Sequence, residues 1–408
     1  MSAQIVRAVI GKGFGDEGKG LAVDYFCSKA PGTLVIKHNG GAQAGHTVEQ
    51  NGKRFVFHQL SSGSFRHSDT FWADSYYPDL YKLREEAEAF RRISGFKPRI
   101  LCDLDTHVTL VDDVLINMLL ETSRGEKRHG SCGMGINECD LRTKAGFGLT
   151  MRDVLSQSAA DLTGWVLDVR REYGAARIRE AIGNADLSRL GGMASEYWEL
   201  LHSSAVVENA IEEMLRSAHE YVEPPASVNA LFKGRESIVF ENGQGLLLDA
   251  ENLTYAPHVS ASRTGLHNPV RLMARHGFSL TEAVYVTRTY VTRHGAGPLP
   301  YECGAKSLGI SGIDETNITN PWQGSLRYAR HGSTGEFLEP VREDLLELDK
   351  VNVKVSLMIT HLNETDGKLL MADGDREAER FESNPEVLKI FHDFYHSDSR
   401  EDVKRRNR

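Results

Sequence analysis

The chain has 408 residues, and 57 Asp and Glu against 48 Lys and Arg give it a formal net charge of −9. This length can bury a large core, and the negative charge argues against a general nucleic-acid binder. No apolar stretch approaches the roughly 20 residues that span a bilayer, and residues 1–10 do not resemble a signal peptide. The five cysteines are scattered and form no Cys-x-x-Cys pair, so we expect a reduced, cytoplasmic protein without structural zinc.

Short apolar runs typical of buried parallel strands recur along the chain. The clearest are residues 5–10, 34–36, 99–102, 237–240, 283–286 and 351–359. Apolar residues at helical spacing lie between them, in residues 111–119 and in two longer stretches, 150–182 and 196–221. The alternation predicts an α/β fold with a mostly parallel central sheet flanked by helices. Ligands of such sheets bind beyond the carboxyl ends of the strands, so we expect the chemistry in the loops there.

The domain organisation is predicted to be simple. No run of Pro, Gly and Ser is long enough to separate independent domains, so residues 1–408 are expected to form one domain. Within it, a helical insertion is expected at about residues 148–233. The last stretch, residues 376–408, is highly charged and ends in the sequence KRRNR. We expect this stretch to be a frayed surface tail.

A glycine-rich loop, GFGDEGKG at residues 13–20, follows the first predicted strand and precedes a helical run. Gly13, Gly18 and Lys19 match the first seven positions of the phosphate-loop pattern, whose backbone N–H groups cradle phosphates. Gly20 stands where that pattern has a hydroxyl for magnesium, so another oxygen must replace it, and Asp16 is the candidate. The alternative interpretation is an ordinary glycine-rich turn between a strand and a helix.

A second glycine-rich loop, NGGAQAGHTV at residues 39–48, follows the second predicted strand. It brings one histidine, His46, close to exposed backbone. A lone histidine is more often structural than catalytic. Beside a phosphate loop, however, His46 is a candidate for stabilising the charge that develops on a phosphate during transfer.

At these two loops the sequence resembles the adenylosuccinate synthetase family, which carries a GDEGKG loop and a GGxxAGHT loop. The likeness continues in the same order through four further segments: Thr106-His107, FENGQG at residues 240–245 with Asp249, Thr254-Tyr255 with Val259-Ser260, and TRHGAGP at residues 292–298, where the family has TRVGxGP. Together these motifs cover most of residues 4–300. The resemblance implies the phosphate-loop-like fold of that family.

The resemblance also implies a ligase of purine biosynthesis that joins L-aspartate to C6 of a 6-oxopurine nucleotide. A nucleoside triphosphate would first phosphorylate the purine O6 while Asp16 takes the N1 proton, and aspartate would then displace the phosphate. His46 would stabilise the transferring phosphate and Lys19 the phosphate chain. Mg²⁺ would be held by Asp16 and the carbonyl oxygen of Gly45. In-line phosphoryl transfer needs charge neutralisation more than covalent help from the protein.

Binding residues follow from the same resemblance. The triphosphate would contact Gly13, Gly15, Glu17, Gly18, Gly20, Thr47 and Asn363. The purine nucleotide would contact Asn39, Ser131, Ser260 and Arg293, and it would be held by Gln244 among the catalytic residues. The family is homodimeric, with an arginine that reaches the nucleotide phosphate from the partner subunit. Its counterpart here is either Arg142 or Lys144, and we expect a homodimer.

Two departures from the family bear on the donor and on aspartate. Residues 360–363 read THLN where the family has TKLD, so Asn363 replaces an aspartate that pairs with guanine. The neutral amide can also pair with adenine, and we therefore favour ATP over GTP as the donor. The family's aspartate-binding TTGR loop is replaced by residues 315–328, in which Thr316 and Arg327 are candidates to bind the aspartate.

The acceptor nucleotide stays open between two alternatives. The altered loop at residues 315–328 and Asn363 look similar to the phage-associated branch that makes 2-aminoadenylosuccinate from dGMP. That branch usually has serine at the position of Asp16. Because a carboxylate suits removal of the N1 proton of hypoxanthine, the retained Asp16 favours an IMP-type acceptor over GMP or dGMP.

Two rival functions are compatible with parts of the sequence. A nucleotide-binding paralogue without catalysis is favoured by the replaced aspartate loop, but Asp16, Lys19 and His46 are all retained. An ordinary phosphate-loop hydrolase or kinase is disfavoured by Gly20, which stands in place of Ser or Thr. Phosphate release separates them, because only the ligase requires both a purine nucleotide and aspartate.

Overall fold

The computed structural model describes residues 3–125, 129–182, 192–310, 324–348 and 352–406. Its strands, in chain order, are β1 Ile5–Gly11, β2 Leu34–Lys37, β3 His46–Gln50, β4 Lys53–Phe57, β5 Asp69–Trp72, β6 Ile100–Cys102, β7 Ser237–Gly245, β8 Glu282–Arg288, β9 Val291–Arg293, β10 Glu302–Cys303, β11 Arg327–Ala329, β12 Lys354–Thr360, β13 Lys368–Leu369, β14 Arg376–Glu377, β15 Asp393–His396 and β16 Lys404–Arg406.

Nine of these strands form one sheet, in the order β16-β15-β12-β8-β1-β7-β2-β5-β6. All neighbouring pairs are parallel except β15 and β16, which are antiparallel at one edge. The predicted α/β fold with a mostly parallel sheet is therefore confirmed. All six predicted strand segments contain strands, although the last begins at Lys354, and residue 351 lies outside the described residues.

The α-helices, in chain order, are α1 Lys19–Lys29, α2 Leu80–Ser94, α3 Val111–Arg124, α4 Ile136–Arg142, α5 Met151–Ser156, α6 Ala159–Val169, α7 Ala175–Ile182, α8 Met193–Leu200, α9 Ser204–Tyr221, α10 Val228–Lys233, α11 His267–His276, α12 Thr334–Asp344, α13 Ala378–Glu382 and α14 Pro385–Leu388. The helix predicted over residues 111–119 is α3. The predicted stretch 150–182 contains α5, α6 and α7, with a wider π-helical turn at Arg170–Gly174.

The sheet is buried on both faces, because alternate residues of a strand point to opposite sides. In β1, Val6, Ala8 and Ile10 join one core with residues of α11 and α12. Val9 points the other way, into a second core with Ala22, Val23 and Phe26 of α1. Buried parallel strands of this kind read as continuous apolar runs, which is why the sequence revealed them.

The helices between β6 and β7 have a core of their own. Apolar residues of α5, α6 and α9 pack there with α2 and with the hairpin of β3 and β4. Helix α9 is amphipathic, with Val207, Ala210, Ile211 and Met214 buried at spacings of three and four residues. Helices α5, α6 and α9, which lie within the range predicted as a helical insertion, therefore pack beside the hairpin that begins at His46.

The prediction of a frayed tail over residues 376–408 was wrong for the described part of that stretch. Residues 376–406 contain β14, α13, α14, β15 and β16. Their charges are interrupted by apolar residues at positions that become buried, among them Phe381, Phe391, Phe394 and Tyr395. β15 therefore completes a parallel pair with β12, and β16 covers the edge.

Five loops meet at the carboxyl edge of the central strands. They follow β1, β2, β7, β8 and β12, and they contain the glycine-rich segments predicted to bind phosphate. This edge is where parallel α/β sheets bind their ligands. Across the described ranges, no helix combines the length and the apolar character needed to cross a membrane.

Candidate active site

The loop between β1 and α1 is folded around the side chain of Glu17. Glu17 Oε1 accepts hydrogen bonds from the backbone N–H groups of Gly13, at 3.0 Å, and Gly15, at 2.8 Å. Its other oxygen lies 2.7 Å from Lys19 Nζ, and both side chains are buried. The loop therefore already holds an anionic group with two amides and a lysine. This is the chemistry that a phosphate would require at the start of α1.

Asp16 is half-buried in the same loop and adopts a left-handed conformation, with φ of 60°. Its Oδ2 lies 3.1 Å from Nε2 of His294. Burial raises the pKa of the Asp16 carboxyl, but the hydrogen bond from His294 and the positive charges of Arg288 and Lys19 outweigh it, so the pKa is lowered. Asp16 is accordingly ionised at neutral pH and able to accept a proton or bind a cation.

His46, the first residue of β3, is paired with a buried carboxylate. Its Nδ1 lies 2.5 Å from Oε1 of Glu241 in the middle of β7, and Ser62 donates to Glu241 through both its hydroxyl and its backbone N–H. Burial lowers the pKa of His46 and outweighs the opposing effect of Glu241. Desolvation raises the pKa of Glu241, but Lys37 and His46 bring it down to about 2. Glu241 thus fixes Nδ1 as the protonated nitrogen and leaves Nε2 of His46 without a hydrogen-bond partner.

A cavity of about 570 Å³ joins these groups. Asp16, Lys19, His46, Gln244 and Asn363 all line it. Other residues predicted to bind the triphosphate also line it, namely Gly15, Glu17, Gly18, Gly20 and Thr47, as does Gly45, the predicted magnesium ligand. The carboxylate and the imidazole that were predicted from separate loops therefore face one shared space. A volume of this size can hold a nucleotide-sized ligand.

Gln244 connects the cavity to two further predicted residues. Its Oε1 accepts hydrogen bonds from Asn39 Nδ2, at 3.3 Å, and from Ser260 Oγ, at 3.4 Å. Asn39 is buried, and its Oδ1 accepts from the backbone N–H of Gly243 at 2.9 Å. Of this cluster, Gln244 and Gly243 line the cavity. Asn39 and Ser260 orient Gln244 from behind.

The other four predicted substrate-binding residues also do not line the cavity or lie outside the described residues. Ser131 exchanges hydrogen bonds with Asn117, although its neighbour Cys132 reaches the cavity. Arg293 is buried over the ring of Phe14 and donates to two backbone carbonyl groups. Arg327 is paired with Glu302 at 2.8 Å and with two backbone carbonyl groups. Thr316 lies outside the described residues.

The end of the cavity near Asn363 contains residues that the sequence did not predict. Ser397, Ser399 and Arg400 line it, and they follow directly after β15. Arg400 NH1 lies 3.2 Å from Glu49 Oε1, which joins this segment to the hairpin that begins at His46. Since the stretch was predicted to be a frayed tail, no sequence signal placed it here.

Glu241, Arg288 and His294 were also missed as site residues. A sequence signal existed for Glu241, because this carboxylate directly follows the apolar run at residues 237–240 inside β7, and a buried charge needs partners. Arg288 ends β8, and its Nε donates to the carbonyl oxygen of Asp16. His294 stands at the valine position of the family motif. The contact of His294 with Asp16 is tertiary and left no periodic signal.

A magnesium ion is compatible with the donors at this site. The Asp16 carboxylate and the backbone of Gly45 border the same cavity. Among the residues with described positions, no group of three His, Cys, Asp or Glu side chains could enclose a metal ion. Magnesium in nucleotide sites is usually bound by one or two carboxylates together with phosphate oxygens and water, so the pair suits an ion shared with the substrate.

Sequence comparisons match the chain to a known family. The family model for adenylosuccinate synthetase matches residues 8–314. The adenylosuccinate synthetase of Desulfosudis oleivorans is 28% identical over 301 residues, which are 72% of this chain and 64% of that protein. The adenylosuccinate synthetase of Aspergillus oryzae is 27% identical over 307 residues, which are 73% of this chain and 65% of that protein. The chain thus spans slightly less than two thirds of these relatives.

Two solved structures have a similar fold. Fully ligated adenylosuccinate synthetase from Plasmodium falciparum superposes with a TM-score of 0.66 at 18% identity, covering 88% of this chain and 77% of the other. Succinoaminodeoxyadenylate synthetase of cyanophage S-2L, bound to dGMP and to dATP as energy donor, superposes with a TM-score of 0.55 at 15% identity. The superposition covers 99% of this chain and 95% of the cyanophage protein. At these identities the similarity establishes the fold alone.

Proposed function

The chain belongs to the adenylosuccinate synthetase family, and from this premise we propose that it is a ligase joining L-aspartate to C6 of a 6-oxopurine nucleotide at the expense of a nucleoside triphosphate. One observation carries the proposal. The carboxylate of Asp16 and the imidazole of His46, presented by different loops, line one cavity together with Lys19 and Gln244. A hydrolase or kinase has no need of a base placed to deprotonate a purine ring.

In the first step Asp16 accepts the N1 proton of the purine, and O6 forms a bond to the γ-phosphorus as the bond to the diphosphate breaks. Lys19 and the amides of residues 13–20 bind the phosphate chain, which requires that the Glu17 carboxylate first releases the amides and the lysine that it now contacts. His46 presents Nε2 to the transferring group, with its other nitrogen held by Glu241. A phosphate anion near Nε2 would favour the imidazolium, which offsets the effect of burial. A magnesium ion bound by Asp16 and Gly45 would neutralise phosphate charge.

In the second step the aspartate amine forms a bond to C6, and inorganic phosphate leaves. Phosphorylation is needed because an oxo group on a ring is a poor leaving group. Arg327 remains the proposed carboxylate ligand, together with Thr316. To bind aspartate, Arg327 would have to leave its ion pair with Glu302. The Glu302 carboxylate now accepts two hydrogen bonds from the guanidinium, as a carboxylate of aspartate would.

We propose ATP as the donor. Asn363 lines the cavity where the family has an aspartate that pairs with guanine, and its amide can pair with adenine. The cyanophage enzyme with a similar fold is bound to dATP as energy donor, which supports the same choice. The test is turnover with ATP and GTP in parallel. An Asn363→Asp variant should shift preference towards GTP, and a strong GTP preference of the unmodified protein would contradict the proposal.

An IMP-type nucleotide is the proposed acceptor, because Asp16 suits the N1–H of hypoxanthine. The second candidate is dGMP or GMP, favoured by the dGMP bound to the cyanophage enzyme and by the altered loop at residues 315–328. A homodimer is proposed from the family. Arg142 is buried in an ion pair with Asp113 at 2.9 Å, whereas Lys144 is exposed, so Lys144 is the better candidate to cross the interface.

The proposed function is tested by incubating the protein with aspartate, ATP plus GTP, and each of IMP, dIMP, GMP and dGMP. Mass spectrometry identifies the acceptor that gains a succinylamino group. Asp16→Ala and His46→Ala should abolish product while circular dichroism remains unchanged. Phosphate release that requires neither nucleotide nor aspartate would identify a hydrolase. Nucleotide binding without turnover of any acceptor would identify an inactive paralogue.

A further inference from the structure

His294 occupies a distinctive position beside the proposed base. Its Nε2 lies 3.1 Å from Asp16 Oδ2, and the two side chains are similarly accessible, at 23% and 22%. Both line the cavity that also contains His46. The family motif quoted for residues 292–298 has valine here, which has no hydrogen-bonding group. The contact is therefore a feature of this chain.

We propose that His294 is a positioning residue that holds one oxygen of Asp16, so that the other oxygen faces the purine N1. This inference rests on the proposed function. A carboxylate rotates readily about its last torsion, because that torsion has broad minima. A general base, however, must lie within about 2.6–3.2 Å of the proton that it removes. A donor on Oδ2 restricts the rotation and leaves Oδ1 for the substrate.

The backbones that carry the two residues are joined at two points. Arg288 Nε donates to the carbonyl oxygen of Asp16, and Thr292 Oγ1 donates to the carbonyl oxygen of Gly15 at 3.2 Å. Both acceptor residues have positive φ, 111° for Gly15 and 60° for Asp16. A non-glycine residue in this region requires support from its surroundings. The segment that bears His294 supplies that support and holds the backbones of the two residues next to each other.

Competing cations explain why such a restraint is useful. Lys19 and Arg288 line the same cavity, and their positive charges lower the pKa of Asp16, although each does so less than the hydrogen bond from His294. Each cation attracts the Asp16 carboxylate and therefore competes with the purine N1–H for its oxygens. The hydrogen bond from His294 counteracts this attraction. Valine at position 294 would fill part of the space but would provide no donor.

The test compares His294→Val, His294→Gln and His219→Val in the full chain. Glutamine keeps an N–H group close to the position of Nε2. His219 is an exposed residue of α9 and controls for the loss of an imidazole elsewhere. The acceptor that the mass-spectrometric panel identifies is used throughout. Steady-state kcat and KM are measured for each substrate, and melting curves report whether each variant is folded.

We expect His294→Val to lower kcat by about 10- to 100-fold while each KM changes less than about threefold, because a displaced base affects the transition state and not ground-state binding. His294→Gln should recover most of kcat, and His219→Val should match the unmodified protein. Scrambling of the β,γ-bridging oxygen of the donor, measured without aspartate, should fall in His294→Val by the same factor as kcat, since Asp16 acts before the amine.

Three results would overturn the inference while leaving the proposed function intact. The first is a folded His294→Val variant with kcat within twofold of the unmodified protein. The second is a raised KM for one substrate at constant kcat, which would make His294 a direct ligand. The third is a folded glutamine variant as impaired as the valine variant. If the unmodified protein forms no succinylamino product from any acceptor, the proposed function itself fails, and the inference fails with it.

Discussion

Replacement of Glu241 by glutamine tests the buried electrostatic interaction of Glu241 with His46 and Lys37. Glu241 has no exposed side-chain surface and accepts hydrogen bonds from His46 Nδ1 and from Ser62. Glutamine keeps the shape of the side chain but removes the charge. Lys37 would then retain a single hydrogen bond, to the carbonyl oxygen of Leu60 at 3.3 Å, and no carboxylate to offset its buried charge.

The expected loss of stability follows from the pKa of Glu241. Desolvation alone would raise the pKa, but Lys37 and His46 lower it from 4.5 to about 2. That difference corresponds to roughly 3 kcal/mol of preference for the folded carboxylate. Because the pKa is depressed in the folded protein, this contribution is present above about pH 4.5 and is lost as pH falls towards 2. Glu241→Gln should therefore reduce the free energy of unfolding by about 3 kcal/mol at pH 7.

The same substitution should lower kcat by about 10- to 100-fold, because His46 loses the partner that fixes its tautomer and supports its positive charge. Urea denaturation between pH 7 and pH 4 measures stability, and aspartate-dependent phosphate release measures turnover. Glu236→Gln, at an exposed position just before β7, is the matched control. A Glu241→Gln variant as stable and as active as this control would refute the reasoning.

Two further substitutions probe the fold. Burial raises the pKa of Asp344 to about 7, so its protonated form stabilises the folded state below about pH 4 and this stabilisation is lost as pH rises through 7. Asp344→Asn should remove that pH dependence, and the variant should be more stable than the unmodified protein at pH 8, as measured by urea denaturation. If the free energy of unfolding changes with pH in the same way in both proteins, the prediction is wrong. Phe394→Ala should cost about 3–5 kcal/mol by the same method, because Phe394 is buried in β15, whereas Asp398→Ala at an exposed position should cost almost nothing.

The sequence identified six of the nine strands of the central sheet and missed β5, β15 and β16. β1, β7 and β8 are continuous apolar runs and were predicted. β15, with the sequence DFYH, has only two buried residues between two half-buried ones, and it lies among charged segments. Its pairing with β12 is a tertiary contact that joins residues far apart in the chain. Local periodicity contains no information about such a contact.

Within the site, the sequence was informative where backbone conformation restricts residue type. Gly15 and Gly18 have positive φ at the first loop, and such requirements leave glycine in recognisable patterns. Side chains that act through contacts between distant segments were not recognised as site residues, as Glu241 and His294 show. Their partners, His46 and Asp16, were predicted because they lie within the glycine-rich loops themselves.

The placement of β1 at the centre of the sheet affects how the protein is made. β1 pairs with β7 and β8, which are synthesised more than 220 residues later. A chain emerging from the ribosome therefore carries β1 and its glycine-rich loop long before the two strands that flank β1 have been made. Such non-local pairing slows folding and leaves unpaired strand edges exposed to aggregation in the meantime. Recombinant production should accordingly benefit from slow translation at low temperature.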